Sequence, residues 1–172
     1  MKTKTNLVVL ALAGGLFLFP EGSRAEQAAD KIKADKIEIE GAWRVTVTQT
    51  VCETGAPIGL PFQSLLTFTR GGTMMGTTAS NAFLPGQRSD DFGVWSKSGE
   101  HKYSAFEEAF IHFSGGPFTQ GRQTIQHSIS LTRDGFTDVA SIQFYDADGN
   151  PLLASPGCAT AVGQRLDSEG KS

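Results

Sequence analysis

The chain has 172 residues, and 15 Lys and Arg stand against 18 Asp and Glu, a net charge of −3. A mildly acidic sequence without a basic stripe is a poor match for nucleic acid or an anionic membrane surface. His101, His112 and His127 show no metal-ligand spacing, and G-x-S-x-G, P-loop and G-x-G-x-x-G motifs are missing, so neither a metal nor a cofactor is expected.

Lys2 and Lys4, an apolar run from Leu7 to Phe19, Pro20 and Ser23-Arg24-Ala25 have the form of a secretory signal peptide over residues 1–25. The run is shorter than the roughly 20 apolar residues of a spanning helix, and no later segment approaches that length, so no membrane span is expected. The product is read as exported, to the periplasm or the medium. Residues 26–40 are polar and charged, and read as a flexible or helical N-terminal arm, with an arm that reaches a protein partner as the alternative.

From Gly41 to Cys52 large apolar and polar residues alternate. Trp43, Val45, Val47 and Val51 fall on one face and Arg44, Thr46, Thr48, Thr50 and Cys52 on the other, the pattern of a half-buried strand. Downstream, strand-like runs alternate with turn signals, and 20 glycines supply the turns. A two-residue turn at Gly71-Gly72 sets Leu66 and Phe68 opposite Thr77 and Met75. One at Ser98-Gly99 puts Trp95 on the face of Phe106, Glu108, Phe110 and His112, whereas a three-residue loop selects Tyr103, Ala105, Glu107 and Ala109. A turn at Asp134-Gly135 sets Ile125, His127, Ile129 and Leu131 opposite Phe144, Ile142, Ala140 and Asp138. Asp146 to Asn150 resembles the opening of a calcium loop, but its glycine comes one position early and the closing glutamate is missing, so a hairpin turn is the better reading.

Two cysteines in an exported chain imply a disulfide between Cys52 and Cys158. Cys52 ends the first strand and Cys158 begins the last, Ala159 to Leu166, which suits an antiparallel pair of terminal strands. That pair closes an all-β, roughly eight-stranded antiparallel barrel over residues 41–166, with a disordered tail at 167–172; a β-sandwich is the alternative. The pairing brings Arg165 beside Trp43 and turns Ala159, Ala161 and Gly163 inward, where their small size leaves a cavity.

Gly41-Ala42-Trp43 on the first strand, Arg165 beside it on the last, the signal peptide and the strand count resemble the lipocalins and the wider calycin barrels. The resemblance implies a basic side chain laid over the tryptophan, closing the barrel, and a small hydrophobic ligand inside.

Chemistry is expected around His127, which alternation places among Ile125, Ile129 and Leu131 on an inward face. A core histidine with hydrogen-bonded neighbours is the plain reading; a polar anchor or general acid/base is the functional one, with Glu107 or Glu108 as the carboxylate partner. Trp95, Phe106, Phe110, His127 and Phe144 are the candidate ligand-binding residues. Arg88, Ser89, Asp90 and Asp91, near Pro85 and Gly86, read as a solvated polar loop, with a role at the barrel mouth as the alternative. Three functions follow: a barrel holding a small, largely apolar molecule, a cofactor-free cyclase or isomerase using His127 with a glutamate, and a protein-binding barrel. The third resembles the small barrel inhibitors of bacterial metalloproteases.

Overall fold

The computed structural model describes residues 38–112 and 120–167. The signal-peptide segment, most of the N-terminal arm and residues 168–172 of the tail lie outside the described residues. Eight strands follow one another: β1 (Gly41–Thr50), β2 (Pro57–Phe68), β3 (Thr73–Ala79), β4 (Asp91–Gly99), β5 (Lys102–His112), β6 (Gln120–Leu131), β7 (Gly135–Tyr145) and β8 (Gly157–Arg165). Each pairs antiparallel with the next, and β8 pairs with β1, so the sheet closes on itself. Closure rules out the sandwich and removes both sheet edges. The architecture is compatible with a calycin-like barrel.

The closing pair puts the expected residues on the inward face. Trp43 faces Arg165, Val45 faces Gly163, Val47 faces Ala161 and Gln49 faces Ala159. Cys52 and Cys158 form a disulfide whose Cα atoms are 5.2 Å apart across 106 positions of sequence. In the chain-entropy account, a loop of that size stabilises the fold by up to about 4.7 kcal/mol.

Three hairpins depart from the predicted registers. Between β2 and β3 the loop has three residues, Arg70 to Gly72, because Thr69 and Thr73 pair across it. Leu66 therefore faces Gly76, and Phe68 faces Met74. A one-residue slip exchanges the faces of a strand: Met74 is buried, while Met75 is 49% exposed. Between β4 and β5 a bulge separates Lys97 from Gly99 and the chain turns at Glu100-His101, with His101 in the left-handed region at φ 53°. Trp95 consequently faces Ala105, and the inward set on β5 is the alternative one that a longer loop selects, Tyr103, Ala105, Glu107 and Ala109, continued by Ile111. Between β6 and β7 the turn is at Arg133-Asp134, closed by a hydrogen bond from Thr132 N to Gly135 O. The shift of two residues keeps the faces as expected but sets His127 opposite Ala140 and Ile129 opposite Asp138.

One end of the barrel is filled. Ile39, Trp43, Phe68, Met74, Tyr103, Leu131 and Phe136 pack there into one apolar cluster, joined at its margin by Trp95. The Phe136 ring takes the space that glycine leaves at position 163, so that part of the inward small-residue row is packed rather than hollow. Arg165 lays its guanidinium 4.3 Å from the Trp43 ring centroid and donates to the carbonyls of Glu38 and Glu40. The Trp43 indole N–H donates to Ile39 O at 2.8 Å. Among the described residues, the chain thus already packs on the barrel at Ile39, two residues before the first strand.

Candidate interior site

Beyond the filled end, the barrel interior holds a cavity of about 330 Å³, near the lower end of the range that small-molecule sites occupy, about 300–1,000 Å³. Its apolar wall comes from inward positions of β1, β6, β7 and β8, chiefly Val47, Ile125, Ile142, Phe144 and Ala159. Phe83, in the loop between β3 and β4, lies across from Phe144 with ring centroids 6.4 Å apart. Ala159 and Ala161 leave the volume that their small side chains foreshadowed.

The cavity's polar side is built diagonally across three neighbouring strands. His127 on β6 has alanines directly opposite on both sides, Ala105 on β5 and Ala140 on β7. Those short side chains leave the imidazole room to reach diagonal partners. Nδ1 lies 2.6 Å from Asp138 Oδ2 on β7, and Nε2 lies 3.4 Å from Glu107 Oε1 on β5. Asp138 Oδ1 also accepts from the backbone N–H of Ser128 at 3.1 Å, which orients the carboxylate. Glu107 has its own space because the residue opposite on β4 is Gly93, where a Cβ would stand 2.9 Å from the Glu107 Cβ.

All three side chains are buried. Burial pulls the His127 pKa down, but the hydrogen bond to Asp138 and the negative charges of Asp138 and Glu107 outweigh it and raise the value to about 10. The imidazole is therefore a cation at neutral pH. Among the described residues, Glu107 Oε2 and His127 Nε2 have no hydrogen-bond partner, Nε2 standing in its ion pair 3.4 Å from Glu107 Oε1.

A second buried pair adjoins the first. Residues 87–89 run beside the end of β5, with Ser89 N donating to Phe110 O and His112 N to Gln87 O, which turns Arg88 into the barrel. Arg88 forms a two-point ion pair with Asp91 and donates from Nε to Gln123 Oε1 at 2.7 Å. Burial, and next the charge of Glu107, lift the Asp91 pKa to about 7 against the opposing pull of Arg88. The expectation of a solvated loop fails for these two residues: the Asp91 side chain is sealed and Arg88 nearly so. A run of polar residues near Pro85 and Gly86 looks like loop from composition alone, and only the short pairing with β5 reveals which side chains enter the barrel.

The predicted site residues divide. His127 and Phe144 line the cavity, and Glu107 is the inward glutamate. Glu108 faces outward, 3.6 Å from Arg122. Phe106 and Phe110, 44% and 54% exposed, stand on the outer face, because the bulge in the β4–β5 hairpin gives β5 the opposite alternation. Trp95 packs against Phe68 and Tyr103 at the filled end and donates its indole N–H to Thr69 O and Thr73 O, away from the cavity. Asp146 spends its carboxylate on its own turn, accepting from Asp148 N, Asn150 N and the Asn150 side chain.

No family model matches the chain, nor does any curated protein or solved structure. Its function is therefore argued from its own residues.

Proposed function

We propose that this chain is an exported barrel that holds one small, largely apolar molecule in its interior. The observation that carries the reading is the cavity itself, walled chiefly by Val47, Ile125, Ile142, Phe144 and Ala159 and lined also by the charged Glu107, His127 and Asp138. Apolar walls supply affinity by area removed from water, and a few convergent polar groups fix orientation. The disulfide between Cys52 and Cys158 is compatible with an oxidising, exported setting. Trp43 beneath Arg165 supports the likeness to lipocalins. Saturable one-to-one binding of a neutral hydrophobic fluorophore, displaced by the small molecules that native mass spectrometry finds on the purified protein, is the expected result; a lack of saturable binding overturns the reading.

One observation favours a second reading, a cofactor-free cyclase or isomerase. His127 stands between two carboxylates on the cavity wall, charged and able to give up a proton, while Glu107 keeps an unpartnered oxygen able to receive one. Under this reading a molecule released from the protein changes its connectivity or double-bond position when incubated with the wild type, but not with His127→Asn. Identical chromatograms for the two proteins would remove it.

A further inference from the structure

The polar side of the cavity specifies the chemistry of what binds there, an inference that rests on the interior-ligand reading. Three carboxyl groups, Asp91, Glu107 and Asp138, share the interior with two basic side chains, Arg88 and His127. All five stand in ion pairs, Asp91 with Arg88 and His127 with both Asp138 and Glu107. Asp91 is spent on Arg88, and Asp138 on His127 and the Ser128 N–H. What remains without a hydrogen bond is one acceptor, Glu107 Oε2, and one donor position, His127 Nε2. Unpaired polar atoms in an apolar interior are costly, so a ligand that satisfies them gains more there than the same contacts would bring in water.

We propose that the polar end of the ligand is a hydroxyl group, which donates to the Glu107 carboxylate and accepts from the His127 Nε2–H. A carboxylate cannot donate, and it would enter beside three acidic groups. An ammonium cannot accept, and it would face the Arg88 and His127 cations. An ether accepts but does not donate. Of these four groups, only a hydroxyl matches both unpartnered atoms at once. Both atoms lie sealed just beneath the cavity wall, so the hydroxyl is met by rotation of the Glu107 carboxyl about its terminal torsion, which is broad and soft. With Val47, Ile125, Ile142, Phe144 and Ala159 as its main apolar wall, the cavity takes an apolar alcohol or phenol of modest size.

The test uses displacement of the neutral fluorophore phenylnaphthylamine from the wild-type protein by four competitors on one skeleton: para-pentylphenol, para-pentylanisole, para-pentylbenzoate and para-pentylbenzylamine. The phenol is expected to compete about tenfold more tightly than the anisole, as a hydrogen bond to a charged group implies, and more tightly still than the benzoate. In Glu107→Gln, which keeps the side chain's shape, the phenol's advantage over the anisole shrinks while anisole affinity is retained. Equal competition by phenol and anisole, or a preference for the benzoate or the amine, overturns the hydroxyl assignment and leaves the cavity reading standing. Failure of the fluorophore to bind saturably takes down both. The wild-type series decides the matter even if the substituted protein does not fold.

Discussion

His127 Nδ1 and Asp138 Oδ2 are 2.6 Å apart inside the barrel, joined diagonally across β6 and β7. The pair holds an imidazolium where burial alone would favour the neutral ring. Because the folded-state pKa is raised to about 10 from 6.5, the contribution to stability is fully present below about 6.5 and is lost as pH rises through about 10. Asp138→Asn is expected to cost roughly 3 kcal/mol at neutral pH, the scale for breaking a buried charge pair. The gap from wild type in urea denaturation should then narrow between pH 6.5 and 10. A gap independent of pH across that window would show that Asp138 acts through packing alone.

Asp91 titrates in a lower window. Its folded pKa is raised to about 7 from 3.8, so its protonated form favours the fold. That contribution is present below about 3.8 and is lost as pH rises through about 7. Acidification from pH 8 to 5 should therefore stabilise the wild type relative to Asp91→Asn, the reverse of ordinary acid sensitivity. The difference in urea midpoint between the two proteins, followed over that range, checks the direction.

Closure was legible because the two cysteines tie the end of the Trp43 strand to the start of the last strand, and a two-residue period assigns faces wherever a strand is undisturbed. Register was less legible, since it depends on loop geometry: a three-residue loop at Arg70 to Gly72 and a bulge before Gly99 each reverse one strand's alternation. Those reversals exchanged Met75 for Met74 and Phe106 for Glu107 as inward residues. The Glu107, His127 and Asp138 cluster joins positions on three strands by diagonals, which no linear spacing displays. Arg88 and Asp91 were hidden further, in a segment whose composition reads as exposed loop.

Phe136 and Gly163 form a directly opposed cross-strand pair, and the ring occupies the place of a side chain at 163. A Cβ added there would collide with the ring. Gly163→Ala should therefore cost about 1–3 kcal/mol, as overpacking a filled core does. Phe136→Leu in the same background should recover part of that loss. Equal stability of wild type and Gly163→Ala in urea would show that the filled end adjusts freely.

Arg165 ties the chain before β1 to β8 through two carbonyls and covers Trp43. Lysine brings charge but not the planar fork. Arg165→Lys should lose about 1 kcal/mol, and exchange of the Trp43 indole hydrogen, which bonds to Ile39 O, should accelerate by more than global stability explains. Amide and indole hydrogen exchange read by nuclear magnetic resonance separates that local release from global unfolding.

Ala159 lies on the cavity wall, opposite Ala140 on β7 and Gln49 on β1. A larger apolar side chain there extends into open volume rather than into packed atoms. Ala159→Leu should leave stability within about 1 kcal/mol of wild type, less than the usual cost of overpacking, because the cavity receives the added carbons. Fluorophore affinity should fall at least about tenfold as the binding volume shrinks. The contrast with Gly163→Ala is the deciding feature: two small-to-large changes on the same strand, four residues apart and both inward, one costing stability and the other binding. Unchanged affinity in a folded Ala159→Leu protein would place the fluorophore on the outer surface, where Phe106 and Phe110 stand, instead of in the interior.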